Sequence, residues 1–195
     1  MLSLKKSLNI LKKTNALLEG HFVLSSGLHS SKYIQCAKLL SYPHLAEKIC
    51  KSLASKIKKN FSKFDLILSP AMGGIVIGYE IGRILKKETI FCERVDGKFK
   101  LRRGFYIKKN SRVLIIEDVI TTGKSSLECV KLIKKSKAKH LGFASIINRS
   151  SKKSLKIKSK IISHLKIEVP TYKKNELPDE LRNIKITKPG SRFLK

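Results

Sequence analysis

The chain has 195 residues, of which 42% are apolar and 29% charged. That is enough to bury about 70% of the surface its unfolded form would expose and to fold as one domain, residues 1–195. The composition excludes a disordered chain, and no apolar run approaches the roughly 20 residues that span a bilayer. The formal net charge of +29 raises nucleic acid or an anionic substrate as a partner. Lysine far outnumbers arginine, however, and comes as scattered doublets such as Lys12-Lys13, Lys58-Lys59 and Lys134-Lys135. Arginine leads where phosphate is recognised specifically, so the excess charge reads mainly as a lysine-decorated solvent face.

In chain order, Leu4, Leu8, Leu11 and Leu17 predict an amphipathic helix over residues 2–18, ended by Gly20. Its start, Met1 to Lys6, has neither a long apolar run nor a small-residue cleavage site, so no secretory signal is expected and the cytoplasm is the expected location. Residues 21–40 predict a strand or two around a Ser25-Ser26-Gly27 turn. Pro43 opens a helix through Leu45, Ile49, Leu53 and Ile57. Four short apolar runs follow as strands at residues 64–69, 89–92, 113–116 and 140–148. Helices are expected at residues 75–85 and 125–136, and an exposed turn or loose helix at 150–160. Short buried strands alternating with helices imply an α/β fold with a mainly parallel central sheet covered on both faces. Ligands of such sheets bind beyond the carboxyl ends of the strands, which gathers the loops after Ser69, Cys92, Asp118 and Asn148. Cys36, Cys50, Cys92 and Cys129 show no metal or disulfide spacing and read as reduced, buried thiols. The five histidines show no mutual spacing for a metal or relay.

Residues 113–126, V-L-I-I-E-D-V-I-T-T-G-K-S-S, carry the chemistry. An apolar strand is expected to end at two adjacent acids, Glu117 and Asp118, followed by a Thr-Thr-Gly-Lys-Ser turn into a helix. A helix N-terminus offers free N–H groups and partial positive charge to a phosphate. Thr121, Thr122 and Ser125 add hydroxyl donors, and Gly123 permits close backbone approach. The two acids are placed to accept hydrogen bonds from vicinal sugar hydroxyls. Gly123-Lys124-Ser125 imitates the tail of a P-loop, but that pattern requires glycine where Asp118 stands.

E-D-V-I-T-T-G-K-S resembles the binding signature for phosphoribosyl pyrophosphate (PRPP) of the type I phosphoribosyltransferases. The flanking segments resemble the orotate phosphoribosyltransferase family. Residues 22–27 with Ser30 and Tyr33 match its base-covering hood, and Pro70-Ala71-Met72-Gly73-Gly74 its pyrophosphate loop. Residues 93–105 (E-R-V-D-G-K…L-R-R-G-F) match its mobile catalytic loop, and Ile147-Asn148-Arg149 the site of its orotate arginine. Weaker similarity continues at residues 168–172 and 188–192. Some branches of the family carry lysine where this chain has Ser25, and paired aromatics where it has Tyr33-Ile34.

The resemblance implies the type I fold, with the PRPP-binding core in residues 60–150 and the N-terminal helix and hood in residues 1–40. It implies Mg²⁺-dependent transfer of the phosphoribosyl group from PRPP to orotate in pyrimidine biosynthesis, the ion being held mainly through PRPP and not directly by the protein. It assigns catalysis to Arg94, Lys98 and Asp118. PRPP binding falls to Glu117, Asp118, Val119, Ile120, Thr121, Thr122, Gly123, Lys124 and Ser125 with Arg94 and Lys98, and orotate binding to Thr121 and Arg149. A homodimer is implied, and neither membrane nor nucleic acid is an expected partner. Two alternatives stay open: a transferase for another base, or a PRPP-sensing regulator that binds nucleic acid. A regulator is expected to add a nucleic-acid module or an aromatic-rich basic patch, and aromatics are only 7% of this chain.

Overall fold

The computed structural model describes residues 1–24, 26–61, 63–150 and 157–189. The chain opens with α1 (Leu4–Lys13), β1 (Leu17–Val23), β2 (His29–Ile34), α2 (Cys36–Leu40) and α3 (Pro43–Asn60). The core then alternates β3 (Leu66–Pro70), α4 (Gly73–Leu85), β4 (Glu88–Val95), β5 (Lys98–Leu101), β6 (Arg112–Ile120), α5 (Lys124–Lys135) and β7 (Lys139–Asn148). It closes with β8 (Ile161–Lys166), β9 (Thr171–Tyr172), α6 (Asp179–Arg182) and β10 (Ile186–Thr187).

Six strands form the central sheet in the order β5-β4-β3-β6-β7-β8, and only β5 runs antiparallel to its neighbour. Side chains of β6 alternate between two apolar layers, as a period of two requires. Leu114 and Ile116 join Ile49, Leu53 and Ile57 of α3 and Ile77 and Ile81 of α4. Val113 and Ile115 join Cys129 and Ile133 of α5. Each fully buried aliphatic side chain contributes roughly 1.5–3 kcal/mol, which is why this sheet is the rigid frame. All four cysteines are free and buried, as their spacing predicts. No helix among the described residues is long and apolar enough to cross a membrane.

Several local expectations are corrected. The first helix stops at Lys13, not residue 18. The Thr14 hydroxyl donates to Ile10 O at 2.9 Å, and Asn15 takes a left-handed φ of 54° that ends the helix. Leu17 and Gly20 therefore lie in β1. The hood is not confined to residues 1–40: β1 and β2 sit in a second sheet of order β10-β1-β2-β9, whose edges come from the C-terminal region. Two-residue strands leave no periodic pattern to read. β8 was also without a predicted strand, and residues 151–156 of the expected 150–160 turn lie outside the described residues.

The histidines are not all isolated. In the hood, His21 Nε2 and His29 Nδ1 are 2.6 Å apart and both rings are buried. His164 Nε2 lies 2.8 Å from the Ser7 hydroxyl, which itself donates to Ser3 O, so the imidazole donates from Nε2 and ties β8 to α1.

Candidate active site

The strand carrying the acids runs further than expected. β6 continues through Glu117 and Asp118 to Ile120, and its ladder with β7 holds as far as Ile120 opposite Asn148. Its ladder with β3 stops at Ile115. Beyond that point β6 is paired on one side only, and the cleft opens between the ends of β3 and β6. This is where the strand order turns about β3, the place where open α/β sheets bind ligands.

Glycine brings the facing loop close. A Cβ on Gly73, at the start of α4, would lie 2.8 Å from the Asp118 carboxylate, and one on Gly74 would lie 3.2 Å from Ile116 O. The segment of residues 70–74, with a cis Ala71–Met72 peptide, is held by an Ala71 N–H bond to Cys92 O at 2.8 Å. The N-terminus of α4 therefore faces the acidic end of β6.

Glu117 accepts the hydroxyl of Ser126, and Asp118 Oδ1 accepts the Val119 N–H at 2.9 Å. Burial pushes the Glu117 carboxyl up to about 7, the Ser126 bond opposing and the Asp118 charge adding to it. Burial raises Asp118 as well, against two backbone hydrogen bonds.

Thr121, Thr122 and Gly123 carry the chain from β6 into α5. Gly123 is the N-cap with left-handed φ 75° and ψ 14°, a conformation glycine takes without the penalty of a side chain. A Cβ there would also meet the Ile157 side chain at 2.5 Å. The first turn of α5 has no acidic residue, which leaves its free N–H groups and partial positive charge for an anion. Glu117, Val119 and residues 120–126 line a concavity of about 130 Å³.

Arg149 continues from β7 and joins the same loop. Its N–H donates to Ile120 O at 2.9 Å and its Nε to Thr121 Oγ1 at 2.9 Å. Burial lowers the guanidinium from its usual range while the nearby Tyr33 raises it. Tyr33 packs on Phe22 with ring centroids 5.9 Å apart, so the hood presents an aromatic pair on the Arg149 side. Ser25 lies outside the described residues.

Residues 93–101 are a hairpin and not the expected loop. Asp96 and Gly97 both take positive φ, 52° and 74°, the geometry of a tight Asp-Gly turn. Arg94 stands opposite Phe99, and Val95 opposite Lys98. Arg94 is joined to α5 through Glu128 at 2.9 Å. Lys98 is exposed, and no hydrogen bond or ion pair among the described residues links it to the 117–126 motif. Lys100 pairs with Asp96 at 3.5 Å, and Arg103 with Glu93 at 2.8 Å. The structure therefore brings residues 117–125 and Arg149 into one site, while among the described residues no hydrogen bond or ion pair joins Arg94 or Lys98 to it. Sequence reasoning missed Ser126 as the partner of Glu117, the contact of Gly73 with Asp118, and Glu128 altogether. Only Ser126 carried a signal, as a small polar residue in the first turn of the helix.

Residues 40–175 match the family described as the phosphoribosyl transferase domain. An orotate phosphoribosyltransferase of Caldicellulosiruptor saccharolyticus is 47% identical over 189 residues, covering 96% of this chain and 97% of the relative. One from Caldicellulosiruptor bescii is 45% identical over 185 residues, covering 95% and 96%. The chain belongs to the orotate phosphoribosyltransferase family. The fold agrees: the crystal structure of orotate phosphoribosyltransferase from Aeropyrum pernix superposes with a TM-score of 0.69 at 22% identity, covering 82% of this chain and 92% of that one. At that identity the likeness establishes the type I phosphoribosyltransferase fold alone. In this member of the family, Glu117, Asp118, the Thr121–Ser125 segment and Arg149 lie at one end of β6.

Proposed function

We propose that the chain transfers the phosphoribosyl group of PRPP to orotate, releasing pyrophosphate and forming orotidine 5′-monophosphate. A ring nitrogen of orotate forms the new bond to the anomeric carbon as the bond from that carbon to the pyrophosphate oxygen breaks. The observation that carries the reading is the Arg149–Thr121 hydrogen bond, which sets a planar cationic fork beside the phosphate loop. A fork of that geometry fits a carboxylate in two-point contact. The N-terminus of α5, with Thr121, Thr122, Lys124 and Ser125, takes the 5′-phosphate. Glu117 and Asp118 accept from the ribose hydroxyls. Arg94 and Lys98 face the leaving pyrophosphate once the hairpin closes.

Among the described residues no three His, Cys, Asp or Glu side chains gather into a metal cage. Glu117 and Asp118 are engaged by the ribose hydroxyls, so Mg²⁺, which keeps waters and readily takes substrate oxygens, would be held mainly through PRPP and not directly by the protein. When bound with PRPP, the ion neutralises pyrophosphate charge.

Purified protein with PRPP, Mg²⁺ and orotate is expected to consume orotate by ultraviolet absorbance. Turnover of adenine or hypoxanthine in place of orotate would remove the base assignment and keep the class. We extend the proposal to a cytoplasmic homodimer. The free thiols suit a reducing compartment, and Val76 and Tyr79 of α4, with Met72 at its N-cap, are exposed, an apolar stripe fitted to a second copy. Sedimentation at the monomer mass at all concentrations would contradict the dimer.

The acid pair makes PRPP affinity depend on pH. A carboxyl raised to about 7 is mostly protonated at pH 6 and mostly ionised at pH 8. The ionised form is the acceptor the ribose hydroxyls need, so PRPP should bind roughly tenfold tighter at pH 8 than at pH 6. For the free fold the sign is opposite. The raised carboxyl supports stability fully below its unfolded value and loses that contribution as pH rises through about 7. Calorimetric titration across this range should show the tenfold rise in the parent and a flatter profile in Glu117→Gln.

A further inference from the structure

The contact between the hairpin and α5 has no counterpart in the sequence motifs. Arg94 Nη1 donates to Glu128 Oε2 at 2.9 Å and Nη2 to Glu128 Oε1 at 3.3 Å. Nη1 also donates to Gly97 O at 2.6 Å, and the guanidinium lies 4.2 Å from the centroid of the Phe99 ring. Below this pair, Cys92 and Cys129 bring their sulfurs to 3.5 Å, so β4 and α5 meet in a buried layer capped by an outer ion pair.

Glu128 has no evident role in forming its own helix. It lies past the first turn, where an acid would favour the helix N-terminus. Lys124 and Lys131 stand at i−4 and i+3 on the same helix, yet its ion pair is with Arg94. The helix that presents its N-terminus to phosphate thus also grips the arginine of the hairpin.

We propose that Glu128 is a positioning residue that holds Arg94 in a withdrawn setting in the substrate-free enzyme and yields it to the pyrophosphate of PRPP. The inference rests on the reading of Arg94 as a pyrophosphate-binding cation. A guanidinium carries five N–H donors in a fixed fork, and Glu128 and Gly97 occupy the face that a phosphate oxygen pair would take. Pyrophosphate brings several negative charges against the single charge of Glu128, so it wins the exchange. The latch is also weak. Its side chains are 41% and 22% exposed, and an ion pair open to solvent shifts an equilibrium by no more than about fivefold. Substrate binding therefore breaks it readily, and its loss is felt as relief from competition.

Glu128→Gln keeps the shape of the side chain and removes its charge. Titration with PRPP and Mg²⁺ is expected to show two- to fivefold tighter binding, with KM for PRPP falling in step and kcat at saturating PRPP within twofold. A side chain that served only the fold would not lower KM at constant kcat. The gain should vanish in the Arg94→Ala background, where PRPP affinity is already reduced, and Glu128→Asp, which keeps the charge, should behave like the parent. Unchanged or weaker PRPP binding in Glu128→Gln, with Arg94→Ala still impaired, overturns the latch and leaves the role of Arg94 standing. An Arg94→Ala variant with parental PRPP affinity overturns the reading beneath both.

Discussion

Arg149→Ala is expected to lower kcat/KM for orotate by about 30- to 1,000-fold, corresponding to ~2–4 kcal/mol. The guanidinium is part-buried and oriented by the Thr121 hydroxyl at 2.9 Å, so truncation leaves the carboxylate of the base without a partner in a partly desolvated cleft. The loss should fall on orotate and spare the affinity for PRPP, because Arg149 reaches the phosphate loop only through Ile120 O and Thr121. Arg149→Lys should recover only part of it, since a point charge cannot reproduce the two-point fork. Uracil, which lacks the carboxylate, supplies the control: parent and Arg149→Ala should use it almost equally. Steady-state kinetics with the two bases decide the matter, and an undiminished kcat/KM for orotate in the variant would remove Arg149 from the base site.

The second large effect is expected at Asp118. Asp118→Asn should reduce kcat/KM for PRPP by about 100- to 1,000-fold, or ~3–4 kcal/mol. Hydrogen bonds to a charged acceptor are worth ~1.5–3 kcal/mol each, and the negative charge also favours the cation-like ribose that develops as pyrophosphate departs. Stability should move the other way. Burial raises the Asp118 carboxyl, so its charge is a burden to the free fold. An amide of the same shape, still able to accept the Val119 N–H, relieves that burden. A variant that is slow yet unfolds at the parental temperature or above would display the conflict between stability and activity at this position. A large fall in melting temperature would instead mean that Asp118 serves the fold first.

These two residues stand at opposite ends of what could be read from the chain. Asp118 belongs to a contiguous motif, and its neighbours Thr121 to Ser125 form one turn into the start of α5, so a local pattern sufficed to place them together. Arg149 was named from the flanking resemblance, but its hydrogen bond to Thr121, 28 positions away, came only from the parallel register of β6 and β7. The hairpin at residues 93–101 was legible in principle, because Asp-Gly between alternating residues is a turn signal; its charge density made it read as a loop. Glu128 was not legible, since an acid in the middle of a lysine-rich helix looks like a solvated side chain until Arg94 is found against it.

The sequence by itself determined the strand-and-helix alternation, the phosphate-and-ribose segment and the buried reduced thiols. Each of these follows from neighbours along the chain: apolar period, a helix start, the absence of paired cysteine spacing. Only the tertiary structure decided that β6 outruns β3 and so opens the cleft beside Asp118, that C-terminal strands complete the hood, and that Arg94 is tied to Glu128. Those features depend on contacts between residues far apart in sequence, where ladder length, packing distance and side-chain reach act, and no local pattern encodes them.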